Sequence, residues 1–301
     1  MPGTNNALKI RAALASASMA LVLLAMKTFA VYRTGSVAML GSLADTGLDV
    51  LTSLITLFGV HFAAQPADGN HRYGHGKAEA LVALFQVIVI VGSGISIGWM
   101  AILHLLEGGA QTANPEYGIG VSAVAIVMTL ALVLYQRSVV RRTGSVAIHA
   151  DNVHYQADLM INIAVVIAII IDQYLGWHRA DPLFGLLIAV WLIYGAATAS
   201  LRAFHELMDH EWPEADREAF IRVAEQHAEI QGIHDVRTRT SGATRFIQFN
   251  VWADPDKTLR EVHDVMDEVE SRLMRAFPDT EVMIHPEPGY AHAHSAIQQG
   301  H

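Results

Sequence analysis

Asp45 and Asp49 lie four positions apart, as do His154 and Asp158, and each pair interrupts a stretch that is otherwise almost wholly apolar. Residues i and i+4 share one face of a helix, so each pair presents its ligand atoms together. Three carboxylates and one imidazole make a four-ligand set of the kind a tetrahedral zinc ion takes. The alternative is a set of isolated polar groups that bond helix to helix. Cost argues against it, since an ionisable residue at the centre of a membrane helix costs roughly 2.5–3.5 kcal/mol on insertion scales. Three acids gathered at one depth would also repel one another without a cation between them. Asp151 falls on the same helix face, nearer the cytoplasm, and reads either as an entrance charge or as an interfacial residue. Asn162, one turn beyond Asp158, reads as a packing amide rather than a ligand.

The chain has no cysteine. Disulfides, thiolate zinc sites and cysteine nucleophiles are thereby excluded together. Any soft metal must be held by the 16 histidines and 29 acids. Asp68, His71 and His75 follow one another in D-x2-H-x3-H spacing. A loop can fold one carboxylate and two imidazoles around zinc and leave a fourth position to water. The residues alone equally allow a solvated polar loop.

The elements that must position these groups are membrane spans. Of 301 residues, 52% are hydrophobic and 16% are charged, against about 25% charged in average soluble proteins. The formal net charge of -9 argues against a nucleic-acid partner, which needs clustered Lys and Arg. A spanning helix needs about 20 mostly apolar residues. Six stretches meet that need: Ala12 to Tyr32, Gly35 to Ala67, Ala80 to Leu106, Tyr117 to Gln136, Ser145 to Ile171 and Pro182 to Leu201. The first has no cleavage pattern behind it and reads as a retained span. Lys9, Arg11, Arg72, Lys77, Arg137, Arg141 and Arg142 all fall on one side of these spans. The positive-inside rule then puts both termini in the cytoplasm. With a rise of about 1.5 Å per residue and a core of about 30 Å, Asp45 and Asp158 both come out ~13 Å from the outer surface, and Asp49 and His154 ~20 Å. The two pairs are predicted to lie level.

After Leu207 the character changes, and residues 209 to 290 hold most of the charge. Pro213 to Ala228 reads as a helix with proline near its start. Asp235 to Thr240 and Arg245 to Trp252 read as strands joined at Ser241-Gly242, the second alternating apolar and polar with a period of two. Leu259, Val262, Met266, Val269, Leu273 and Phe277 follow helical spacing, and Glu281 to His285 reads as a last strand. The fold class predicted is a six-helix, all-α membrane domain (1–208) followed by a small α+β cytoplasmic domain of αββαβ order (209–290), helices on one face of a sheet. A polar tail (291–301) with His292, His294 and His301 is predicted to be disordered; its histidines could scavenge metal or do nothing.

The stretches SLADTGLDVLTSLITL, PADGNHRYGHGKAEAL, HADNVHYQADLMIN and RTSGATRFIQFNVW resemble the cation diffusion facilitators, most closely a bacterial zinc/iron exporter branch. The resemblance runs from about Leu8 to Pro288. It implies that Asp45, Asp49, His154 and Asp158 bind the transported ion. It also implies that Asp68, His71 and His75 form a loop metal site, and that His234, His263, His285 and Glu287 match a binuclear zinc site at a dimer contact. Two departures stand in that last set. Asn250 occupies the place of a strand histidine, and Glu287 stands where close relatives have aspartate. Lys77 and Asp209 match a family salt bridge between the membrane and cytoplasmic parts.

The function expected is a secondary transporter, not an enzyme. It exports a divalent transition metal in exchange for protons, as a homodimer in the bacterial inner membrane, with Zn²⁺ as substrate and as a resident ion. Imidazole at His154 favours zinc over manganese, which suits all-oxygen sites, and leaves iron, cadmium and cobalt open. Two rivals are an intramembrane hydrolase using Asp45 and Asp49 or a metal-activated water, and a non-transporting metal sensor. The first needs an open coordination position and a lateral opening. The second needs no charged site at mid-membrane.

Overall fold

The computed structural model describes residues 2–34, 37–106, 115–175, 179–230 and 232–289. It divides into two compact units, one spanning Thr4–Phe204 and the other running from His205 on. In the first, six long helices follow one another: α1 (Pro2–Thr34), α2 (Val37–Ala63), α3 (Ala78–Leu106), α4 (Pro115–Thr143), α5 (Val146–Leu175) and α6 (Ala180–Leu207). Helices α1, α3, α4 and α6 contain their predicted spans, whereas α2 ends four residues before the predicted Ala67 and α5 starts one residue after the predicted Ser145. Among the described residues, five of them are long and apolar enough to cross a membrane. Helix α5 has 30 residues and carries Asp151, Asp158 and Asp172. A helix that pays for charge in this way does so for a reason found below.

Helix α5 is the centre of the bundle and packs against α2, α3 and α4. Its start is set by the three residues Thr143, Gly144 and Ser145. Gly144 takes a positive φ of 65°, and its N–H bonds Val140 O at 2.8 Å, the left-handed cap that closes a helix C-terminus. Ser145 then caps α5 by accepting from the N–H of Ile148 at 3.3 Å. So tight a hinge fixes where the first turns of α5 fall. Small and branched residues fill the interior: Ala12, Val60, Val139, Ala147 and Ile148 in one cluster, Ile90, Val153, Ala157, Leu192 and Ala196 in another. Phe29, Phe58, Ile88, Trp99, Leu187 and Tyr194 point outward, the side chains that lipid would cover.

The second unit contains α7 (Glu214–Ala224), β1 (Ile233–Ser241), β2 (Thr244–Ala253), α8 (Leu259–Ala276) and β3 (Thr280–Pro288). The sheet order is β1-β2-β3; β1 pairs β2 antiparallel and β2 pairs β3 parallel. Phe220 of α7 and Met266, Val269 and Leu273 of α8 cover Ile247, Phe249 and Val251 of β2. Thr258 and Glu261 form a reciprocal capping box at the start of α8, which satisfies two otherwise orphaned N–H groups. Helix α7 stops four residues short of the predicted end, where the N–H of His227 turns back to Ala224 O. Strands β1 and β3 are longer than predicted, and this brings His234 and Glu287 onto the sheet.

Candidate metal centre

Asp49 of α2 and His154 and Asp158 of α5 bring one ligand atom each within 4.8 Å of one another. The Nε2 atom of His154 lies 3.0 Å from Asp49 Oδ1 and 3.8 Å from Asp158 Oδ2. One imidazole nitrogen thus faces two carboxylates across two helices. Asp49 and His154 touch directly, which fits their predicted common level. Asp45 does not join them. Its side chain is exposed, one turn along α2, and lies outside this cluster. The i,i+4 rule gives a shared face, but a three-atom focus between two helices reaches only one residue of that face.

One turn from His154 toward the start of α5, Asp151 is neither an entrance charge nor an interfacial residue. It is 0% exposed. Its Oδ2 accepts from Ser16 Oγ of α1 at 2.6 Å and from Gln136 Nε2 of α4 at 2.6 Å. Its Oδ1 accepts from Gln86 Nε2 of α3 at 3.0 Å. Gln86 also donates to Thr56 of α2, so five helices meet around one carboxylate. A buried charge is tolerated only when its lone pairs are met in this way. Next to it, the hydroxyls of Tyr155 and Ser53 share a hydrogen bond at 2.7 Å. A second buried knot lies nearby in the chain: Lys9 Nζ donates to Glu79 Oε1 at 2.6 Å, and the Ser145 hydroxyl donates to Glu79 Oε2. Sequence reading missed Lys9, Gln86 and Gln136 as structural partners. The available signal was an amide inside each of two apolar runs, Gln86 and Gln136.

In the loop after α2, Asp68, His71 and His75 also converge within 4.8 Å. The backbone N–H groups of His71 and Asn70 donate to Asp68 Oδ1 at 2.6 and 2.8 Å. These bonds, the His71 one foremost, hold the carboxyl of Asp68 below the usual carboxylate range. His75 is buried against Phe62, edge to face at 4.7 Å, and its Nε2 lies 3.4 Å from Asp68 Oδ2. Its buried Nδ1 has no hydrogen-bond partner among the described residues. An ionised carboxylate beside two imidazoles, one with an unmet nitrogen, fits a divalent ion.

On the cytoplasmic sheet, His234, Asn250 and His285 stand side by side across β1, β2 and β3. The Nε2 of His234 lies 3.2 Å from Glu287 Oε2, and Asn250 Nδ2 donates to Glu287 Oε1 at 2.8 Å. His234 stacks on Trp252, ring centroids 4.2 Å apart. His263 is not drawn into this group within the chain: it lies on α8, 69% exposed, 3.7 Å from Asp267. The tail histidines lie outside the described residues.

Two family models match the chain in succession. The cation efflux transmembrane domain covers residues 13–208, and the cation efflux protein cytoplasmic domain covers residues 212–289. The chain belongs to the cation-efflux family, the cation diffusion facilitators. It is 42% identical over 288 residues to the cation-efflux pump FieF of Salmonella arizonae, covering 96% of this chain and 95% of that one. It is 42% identical over 278 residues to FieF of Escherichia coli (strain K12 / DH10B), 92% of each chain. A solved metal-bound C-terminal domain of the CzcD transporter from Thermotoga maritima is 27% identical, with a TM-score of 0.24 over 25% of this chain and 90% of that one. Like others of its family, this cation-efflux protein is a multi-pass membrane protein with a small α+β domain after its helices.

Proposed function

We propose that the protein exports a divalent transition metal, zinc before iron or cadmium, from the cytoplasm in exchange for protons. The observation that carries this is the cluster of Asp49, His154 and Asp158 between two membrane helices, with Asp45 one turn away as the fourth ligand once an ion draws it in. The relatives' name, cation-efflux pump, supports the direction of transport. Imidazole together with carboxylates supports zinc. Ligands must be deprotonated to bind, so metal and protons compete for the same atoms. Exposure rises along α5 from Asp151 at 0% to 11% and 29% for the side chains of His154 and Asp158. The knot at Asp151 therefore seals one side of the cluster, and an ion leaves by the other. With both termini in the cytoplasm of a bacterial inner membrane, the sealed side faces inward. Rigid-body alternation around a midplane site is the common transporter pattern, and a homodimer joined through the cytoplasmic domains fits the family's domain pair.

Asp68, His71 and His75 would hold a regulatory ion, as would His285 and Glu287 with His234 or His263. The test is zinc flux into proteoliposomes with a pH dye inside. Asp49→Ala and His154→Ala should each abolish flux and the linked proton movement while the protein elutes as a normal dimer. Wild-type flux in both variants would remove the transport site. A hydrolase would show turnover of a peptide or lipid substrate where flux is absent.

A further inference from the structure

Lys27 lies in α1 inside the apolar span Asn5–Phe29. A lysine near a helix end ordinarily snorkels, sending its ammonium to the membrane surface. Here the ammonium turns inward. Its Nζ donates to Thr46 Oγ1 at 2.6 Å, and Thr46 is 1% exposed. Thr46 follows Asp45 and precedes Asp49 by three positions on α2, so the ammonium is anchored on the turn that carries both acids. A cation and carboxylates inside a membrane segment are expected to act as a set.

We propose that Lys27 is a specificity-determining residue of the transport site, a fixed positive charge anchored through Thr46 that balances the third carboxylate. This rests on the transport-site reading above. Asp45, Asp49 and Asp158 carry three negative charges and a divalent ion two positive ones. Lys27 makes the loaded site neutral, which is the least costly state in a medium of low dielectric constant. Without it the loaded site keeps a negative charge. Such a site holds a divalent ion too tightly, releases it slowly, and welcomes a trivalent ion that the native site rejects. Lys27 thus selects by the charge of the ion, while His154 selects by its softness.

The experiment is zinc flux in proteoliposomes for the full chain, with lanthanum(III) as competitor. Lys27→Gln keeps a hydrogen-bond donor for Thr46 and removes the charge. Loss of one charge at this range should lower KM for zinc by roughly tenfold, with a matching fall in kcat, and should make lanthanum a stronger inhibitor. Lys27→Arg should restore the wild-type pattern. Thr46→Val, which removes only the anchor, should shift KM the same way by less. Wild-type KM, kcat and lanthanum sensitivity in either Lys27→Gln or Thr46→Val overturn the proposal, and so does an arginine variant that behaves like the glutamine one. Asp49→Ala is run alongside. If it transports at the wild-type rate, the transport-site reading fails first. If it is dead while Lys27→Gln is normal, only the role of Lys27 falls.

Discussion

His154 is the one nitrogen ligand in a cluster otherwise made of carboxylates, and its Nε2 is the atom both acids face. Replacing it by aspartate makes the set all oxygen, harder and more negative, which suits manganese better than zinc. His154→Asp should lose zinc preference and gain manganese transport, read as competition curves in the flux assay; unchanged curves would acquit His154 of any part in selectivity. Asn250 offers a second residue-scale test. Its amide already spends one hydrogen bond on Glu287, and a neutral amide is a poorer zinc ligand than imidazole. Residues 209 to 290 should bind one zinc tightly and any second distinctly more weakly, and Asn250→His should add the second ion. Native mass spectrometry that finds two equally tight ions in the unmutated domain would show that another group replaces the missing imidazole.

Helices enter through α5 and its neighbours. The carboxylate of Asp151 accepts three hydrogen bonds from α1, α3 and α4. In Asp151→Asn one oxygen becomes an amide that faces the donors of Ser16 and Gln136 or of Gln86. Leaving buried donors unmet costs about 1–3 kcal/mol each. The variant should lose thermal stability and show faster amide exchange in the first turns of α5, while Asp49 and His154 remain in place. Wild-type exchange there would mean that apolar packing alone seals the bundle. The loop before α3 makes a different prediction. Backbone donors depress the carboxyl of Asp68, so its contribution to loop order is present above the ordinary aspartate range and is lost only as pH falls through the lowered value. Between pH 8 and 6 the carboxylate stays ionised. Asp68→Asn should therefore weaken zinc binding at the loop by the same factor at both pH values, measured by calorimetry; a factor that shrinks at pH 6 would show the carboxylate titrating there.

At the scale of the molecule, two units of opposite character share one chain. Residues 13–208 form a helical unit whose exposed surface is apolar, and residues 212–289 form a sheet covered by helices on one face only. The other face of that sheet carries His234, Asn250, Trp252, His285 and Glu287. A sheet face that is left open and lined by metal-type residues suits a contact with a second copy. The full chain in detergent should sediment as a dimer, and removing residues 209 to 290 should weaken that dimer without abolishing the helical fold. A monomer for the full chain would take the homodimer out of the mechanism.

The sequence by itself determined the six helices, the αββαβ order and the charged positions at which the membrane is interrupted. Charge is so costly in an apolar span that Asp49, His154 and Asp158 announce themselves, and D-x2-H-x3-H is a local pattern that a short loop can close on its own. Alternation in β2 likewise told which residues face the core. Only the tertiary structure decided what each helix meets. A period of 3.6 gives a face but not its neighbour, so it could not say that Asp45 stays outside the cluster, or that Asp151 is buried under Ser16, Gln86 and Gln136. Nor could it tell that Lys27 turns inward to Thr46, because a long flexible side chain has both choices and the buried hydroxyl of Thr46 on α2 takes one. His263 shows the same limit: metal-type residues on separate elements become a site only if the fold brings their elements together, and within one chain α8 keeps His263 apart from the sheet.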